Sequence, residues 1–82
     1  MTFRVGDIAQ SKSGHDAKKY FVVIATLNDS YVLIADGKSR KLDSPKQKNV
    51  KHLKLIQEAS GEDSYVDDKS IAKRLAKLDT VE

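Results

Sequence analysis

The sequence predicts a mainly β fold, in which a small antiparallel β-barrel of about five short strands precedes a C-terminal amphipathic α-helix. The chain has 82 residues, which is enough for one small domain but too few for the crossovers of a layered α/β fold. Short β-branched and aromatic runs alternate with polar turns between residues 5 and 56, a pattern typical of tightly connected strands. Ile71, Leu75 and Leu78 then recur at helical spacing.

The first three strands are predicted from their apolar runs. Residues 5–12 form a partly alternating strand that a Ser-Gly pair closes. Residues 20–27 are apolar on both faces of a strand, which indicates burial on both sides, as in the inner strand of a closed barrel. Residues 31–35 follow after a polar break of three residues. The second and third strands should therefore form a hairpin.

The remaining strands are predicted from turn signals. Asp36-Gly37 is the strongest hairpin signal in the chain, because a type I′ turn needs positive φ at both central positions. A short strand should therefore run over residues 39–42. Pro45 should end the hydrogen-bonded pairing of that strand and begin a basic connection. Apolar residues between positions 50 and 56 supply a last strand.

The predicted barrel covers residues 1–56, a polar linker covers residues 57–66, and the helix covers residues 67–79. Asp67 or Asp68 should cap the N-terminus of the helix. Its apolar stripe is too narrow to fold independently. The helix is therefore an appendage that docks on the barrel, binds a partner, or frays.

Charge is distributed unevenly along the chain. Residues 1–55 contain eleven Lys/Arg and five Asp/Glu, a balance of +6, whereas residues 56–82 contain four and seven, a balance of −3. A basic body indicates a polyanion partner, and its lysines cluster in the predicted loops. The alternative is that these lysines only keep a small domain in solution.

The candidate contacts to nucleic-acid phosphates are the cationic residues of the loops, and Arg40 is the strongest single candidate because its planar fork can bind phosphate or stack on a base. The full set is Lys12, His15, Lys18, Lys19, Lys38, Arg40, Lys41, Lys46, Lys48, Lys51 and His52. Gly14 and Gly37 are candidates for structural turns. Tyr20 and Tyr31 are the aromatic residues that could stack on bases if they are exposed.

Several classes of function find no support in the sequence. The chain has no cysteine, which excludes disulfides, zinc knuckles and thiol catalysis. Its two histidines are far apart in sequence, so we expect neither a metal site nor acid–base catalysis. No nucleophile–base pair or phosphate-cradling glycine motif occurs. We therefore expect no enzyme, no cofactor and no small-molecule substrate.

The sequence also lacks the features of membrane and secreted proteins. Its longest apolar run covers residues 20–25, far short of the roughly 20 residues that span a bilayer. The N-terminal residues contain no apolar signal region. The expected location is the cytoplasm, with no membrane partner.

Six segments of the sequence form a recognisable order: residues 6–7, 11–16, 19–23, 31–37, 40–42 and the closing Lys-Asn-x-Lys-His-Leu of 48–53. Together they resemble a KOW-motif protein, such as the KOW-type large-subunit ribosomal protein of archaea and eukaryotes and its small bacterial relatives. The resemblance covers residues 4–55. It implies an SH3-like barrel that binds RNA, typically ribosomal RNA, and a possible association with the large ribosomal subunit.

One departure is Lys18, which stands where such proteins usually carry a second loop glycine. Since lysine resists positive φ, we expect a loop of different shape.

The rival interpretation is an SH3-like protein-interaction module acting in transcription or translation. Proline-recognising barrels line their groove with aromatic side chains. This chain has no tryptophan and a lysine-rich composition, which favours RNA over a proline-rich peptide.

Overall fold

The computed structural model describes residues 3–12, 14, 17–59 and 67–79. Its elements, in chain order, are β1 (Ile8–Ser11), β2 (Tyr20–Thr26), β3 (Tyr31–Ala35), β4 (Lys46–Asn49), a 3-10 turn (Val50–His52), β5 (Leu53–Gln57) and α1 (Asp68–Asp79). The strands form one antiparallel sheet in the order β4-β3-β2-β1-β5. The predicted fold class, a small antiparallel β-barrel with a C-terminal helix, is confirmed.

Both faces of the sheet are buried, each by a different partner. On one face, Phe21 and Val23 of β2 pack with Ala9, Ile34 and other residues of the barrel interior. This alternation follows from the strand geometry, because successive side chains point to opposite faces. The prediction that β2 is buried on both sides is therefore confirmed for its central residues.

Helix α1 covers the opposite face. Ile71 and Leu75 of the helix pack against Ile8, Val22 and Ala35 of the sheet, and Ile71 is fully buried. Of the three roles that the sequence leaves open for the helix, the structure shows docking on the barrel. An amphipathic helix of 12 residues gains its stability mainly from such packing.

Two irregularities bend the sheet around the interior. One lies between β1 and β5 at Ile8/Ala9, and the other lies between β2 and β3 at Val23/Ala25. An extra residue on one strand increases the local twist and bends the strand. These irregularities let five short strands curve around the core.

The start of the helix is held by two aspartates. The Asp67 carboxylate accepts a hydrogen bond from the Ser70 amide at 2.8 Å, so Asp67 is the N-cap. This backbone bond, together with the Ser70 hydroxyl, lowers the pKa of Asp67. Asp68 has a different task, since its Oδ1 accepts the Leu42 amide at 2.7 Å and ties the helix to the β3–β4 loop.

The predicted strand over residues 39–42 is wrong. These residues form bends and a turn, and the fourth strand lies at Lys46–Asn49, where the sequence predicts a basic connection. Asp36 does not have positive φ, whereas Gly37 has a φ of +79°, so the predicted type I′ turn is also wrong. The Asp36 side chain captures the amides of Lys38 and Arg40 instead, and these bonds open a wider loop.

The ends of the sheet also differ from the predicted bounds. The first strand begins at Ile8, and Gln57 of the predicted linker belongs to β5. Ala59 donates its amide to Oδ1 of the buried Asp7 at 2.7 Å, and Asp7 Oδ2 accepts the Arg4 amide at 2.8 Å. Asp7 thus joins the N-terminal turn to the chain after β5. The rest of the predicted linker, residues 60–66, lies outside the described residues.

Candidate nucleic-acid interface

The β1–β2 loop begins and ends in a fixed backbone framework. The Lys18 amide donates to the Ser11 carbonyl at 2.8 Å, and the Ser11 amide donates to the Lys19 carbonyl at 3.0 Å. On the other side of the loop, the Lys12 amide donates to the His52 carbonyl at 2.8 Å. The exposed residues Lys12, Lys18 and Lys19 are therefore held at the rim of the barrel. The candidate residue His15 lies outside the described residues.

Lys18 adopts the backbone conformation that the sequence predicts lysine to avoid. Its φ is +71°, and no other non-glycine residue in the described chain has a positive φ. This conformation costs a residue with a Cβ roughly 1–2 kcal/mol. The Gln10 side chain donates to the Lys18 carbonyl at 3.1 Å and helps to hold it. The loop thus keeps a glycine-like turn at this position and adds a cation to it.

Gly14, in the same loop, has a φ of +79° and is exposed. An added Cβ would meet nothing within 4 Å. Backbone conformation alone therefore favours glycine here.

The β3–β4 loop is organised by the Asp36 carboxylate. Oδ1 accepts the amides of Lys38 and Arg40, each at 2.8 Å, and Oδ2 accepts the Ser39 hydroxyl at 2.9 Å. Partial burial acts to raise the pKa of Asp36, but these bonds and the positive charge of Lys19 outweigh it, so the pKa lies below its ordinary value. The charge of Lys19 reaches Asp36 from the opposite loop. The two loops are close neighbours, because Lys19 and Asp36 line the same cleft.

Gly37 presses the β3–β4 loop against the helix. A Cβ at this position would collide with the Asp68 carbonyl oxygen and would lie 3.0 Å from the Ala72 amide nitrogen. Together with its φ of +79°, this close approach admits only glycine without a shift of the backbone.

A cleft of about 380 Å³ opens between the two loops and helix α1. One wall carries Lys18, Lys19 and Tyr20, and the other wall carries Asp36, Lys38 and Ser39. The floor comes from one side of the helix, at Ala72, Leu75 and Ala76. The structure thus brings three of the predicted cationic residues together beside an apolar floor.

A second groove, of about 580 Å³, lies on the other side of the β1–β2 loop. Its apolar lining includes Val50, Leu53 and Leu55, and its cations are Lys12, Lys51 and Lys54. Lys12 and Lys51 are predicted candidates, whereas Lys54 is not. Predicted cations therefore border open surface on both sides of the β1–β2 loop.

The other candidates lie elsewhere. Lys46 and Lys48 of β4 pair with Ile34 and Val32 of β3, so their half-buried side chains lie on the face of the barrel interior. Their aliphatic stems can cover the edge of the core there. Arg40 is half-buried and Lys41 is exposed, and neither lines the cleft.

The two tyrosines differ in position. Tyr20 is half-buried at the border of the cleft and packs beside the helix, whereas Tyr31 is exposed at the start of β3. Tyr20 is thus the aromatic residue that accompanies the cations.

Sequence reasoning missed Ser39, Ala72, Leu75 and Ala76 as parts of this cleft. The helical periodicity does predict that Ile71 and Leu75 lie on the packed face. Ala72 and Ala76 each follow one of these residues and would then border that face. The sequence contains no signal for which loops this border would meet.

The described residues contain no grouping of three histidine, cysteine or acidic side chains that could hold a metal ion. In the same part of the chain, no helix has both the length and the apolar character needed to cross a membrane. In comparisons with known proteins, no family model matches this sequence, and no curated protein is significantly similar to it.

Proposed function

We propose that this chain is a non-catalytic, cytoplasmic RNA-binding protein whose contact surface centres on the β1–β2 loop. The observation that carries the proposal is the placement of predicted cations on both sides of that loop. Lys18 and Lys19 face Lys38 across the cleft, and Lys12 borders the groove with Lys51. A rigid rim of lysines suits a phosphate backbone, because contacts to phosphate release counterions and need little reorganisation of the protein.

The resemblance of residues 4–55 to KOW-motif proteins supports the same proposal. It points to structured RNA, with ribosomal RNA and the large ribosomal subunit as the first partners to test. RNA of this kind is recognised largely through its shape and its phosphates. The three lysines around the cleft provide such contacts.

A charge-reversal pair tests the proposal. The variant K18E/K38E changes one exposed lysine on each wall of the cleft, and the control K69E/K73E makes the same charge change on exposed residues of α1 that do not line it. With a structured RNA hairpin, we expect the cleft variant to weaken binding by about tenfold or more and to lower the slope of log K against log salt by about 1.5. The control should change affinity by less than about threefold.

Circular dichroism should show the same fold for both variants, because all four side chains are exposed. Equal losses of affinity in the two variants would mean that net charge alone drives binding. Unchanged binding in the cleft variant, or a salt-independent affinity in the wild type, would refute the proposed surface.

The groove carries the alternative function, a module that binds an acidic peptide. Within the described residues, β5 pairs only with β1 and has an open edge. An extended peptide could add to that edge while its carboxylates meet Lys51 and Lys54. Amide-shift mapping separates the two functions. RNA should shift the cleft residues 17–20 and 36–40 together with Lys12 and Lys51, whereas an acidic peptide should shift β5 and leave the cleft residues unchanged.

A further inference from the structure

The cleft combines two chemical surfaces that a bare phosphate contact does not need. Its floor is apolar and few atoms project from it, because the small side chains of Ala72 and Ala76 lie beside the largely buried Leu75 on the helix. Tyr20 closes one wall with an aromatic ring. A planar, apolar group could rest on this floor beside the ring, as bases do on the platforms of single-strand binders.

The rim of the cleft is cationic. The exposed Lys18 and Lys38 contribute two positive charges, against the single carboxylate of Asp36 among the lining residues. Asp36 already accepts two amides and one hydroxyl of its own loop, so its oxygens are engaged within the protein. The remaining excess of positive charge suits an anion at the mouth of the cleft.

The backbone of Lys18 is strained at the mouth of this cleft. Its φ of +71° is held by the Ser11 carbonyl and the Gln10 side chain. Strained backbone that the surrounding structure enforces is concentrated at binding sites. The strained conformation at position 18 places a lysine at the cleft, although glycine would adopt the same φ without strain.

From this combination we propose that the cleft binds one unpaired nucleotide, with its base on the floor of Leu75 and Ala76 beside Tyr20 and its phosphate on Lys18 and Lys38. The cleft volume of about 380 Å³ lies within the range of roughly 300–1,000 Å³ of small-ligand sites. The ligand chemistry is that of a nucleoside phosphate, either a bulged nucleotide in an RNA or a free nucleotide. The RNA form rests on the proposed function, whereas the free form does not.

The test uses the full chain and two RNA hairpins with identical stems, one of which has a single bulged adenosine. We expect the wild type to bind the bulged hairpin about tenfold more tightly than the regular one, as expected for one stacked base. The variant A76Q places a longer neutral side chain on the floor at an exposed helical position. It should lose this preference and still bind the regular hairpin. The control A76S keeps the floor low and should retain the preference.

A second arm uses adenosine 5′-monophosphate and ribose 5-phosphate. With the wild-type protein alone, AMP should shift the amides of residues 18–20 and 72–76. Ribose 5-phosphate should shift them far less, because it has no base. If AMP binds in this way and A76Q weakens it while neither hairpin binds, the cleft serves a free nucleotide and the proposed RNA function is wrong.

The inference fails by itself if both hairpins bind equally, A76Q changes nothing and AMP leaves the cleft amides in place. RNA binding through the lysines would then still stand. A bulge preference that A76Q retains would also overturn the inference, because the base would bind elsewhere.

Discussion

The β1–β2 loop and the β3–β4 loop face each other across the cleft, and each contains a glycine with a φ of +79°. At Gly14 an added Cβ would stand in open space, whereas at Gly37 it would collide with the backbone of α1. The two glycines share a conformation and differ in their surroundings. One loop needs glycine for its φ alone, and the other also needs it for contact with the helix.

This difference separates the roles of the loops. The β3–β4 loop is bound to the core, because Gly37 touches α1 and the Leu42 amide is held by Asp68. The β1–β2 loop is held by backbone bonds at its ends and carries its lysines outward. One wall of the cleft is thus part of the packed structure, and the other is free to be specialised for binding.

The largest expected effect comes from Gly37→Ala. The variant should lose about 2–5 kcal/mol of unfolding free energy, because the positive φ costs roughly 1–2 kcal/mol and displacement of the helix adds roughly 1–3 kcal/mol. Gly14→Ala is the matched control and should lose only the first contribution. Urea unfolding of both variants measures the difference. Equal losses would show that the contact with the helix adds nothing.

Asp68→Ala tests the second tie between the β3–β4 loop and the helix. The change leaves the partly buried Leu42 amide without its acceptor, so we expect a loss of about 1–2 kcal/mol. Asp43 is an exposed aspartate of the same loop, and Asp43→Ala should stay within about 0.5 kcal/mol of the wild type. Equal losses of unfolding free energy in the two variants would show that the hydrogen bond from Leu42 to Asp68 does not hold the loop to the helix.

Lys18→Gly should stabilise the protein while weakening its binding. Glycine removes the strain of the positive φ, although its greater freedom in the unfolded chain offsets part of the gain, so we expect a net increase of up to about 1 kcal/mol. Lys38→Gly, in the opposite loop and without a positive φ, should not stabilise. Thermal unfolding together with RNA titration distinguishes the two. A destabilised Lys18→Gly protein would contradict the assignment of strain to Lys18.

The smallest effect is the pH dependence from Asp36. Because its folded-state pKa is lowered, its contribution is present above the ordinary carboxyl pKa of about 3.9 and is lost as pH falls through the lower folded value. Asp36→Asn should therefore reduce the loss of stability in acid. Asp67, whose pKa is also lowered, is present in both proteins, so the difference between them isolates Asp36. Identical acid-unfolding curves would contradict this role.

The sequence predicts the β2–β3 hairpin and the helix well, because each depends on short-range patterns. Residues 20–27 and 31–35 are rich in β-branched and aromatic residues, and the observed strands are Tyr20–Thr26 and Tyr31–Ala35. The helix has a clear apolar period and an aspartate cap. The candidate site is predicted in part, since Lys18, Lys19 and Lys38 meet at the cleft, while Lys46 and Lys48 lie on another face.

Strand β4 was beyond local prediction. Its sequence, Lys-Gln-Lys-Asn, has little preference for a strand. It becomes one because the edge of β3 supplies backbone partners, with Ile34 opposite Lys46 and Tyr31 opposite Asn49. The Asp-Gly signal before it failed for a different, local reason. The Asp36 side chain accepts the amides of Lys38 and Arg40 within its own loop, and these bonds open a loop wider than a two-residue hairpin turn.

The sequence by itself determined the class of the fold, the paired strands β2 and β3, and the basic character of the loops, because strand propensity, helical period and charge are properties of neighbouring residues. Tertiary structure decided which face α1 covers, that Gly37 touches its backbone, and that Lys18 takes a glycine-like conformation. These features depend on groups far apart in the chain, whose packing and hydrogen bonds outweigh the local preference of any single residue.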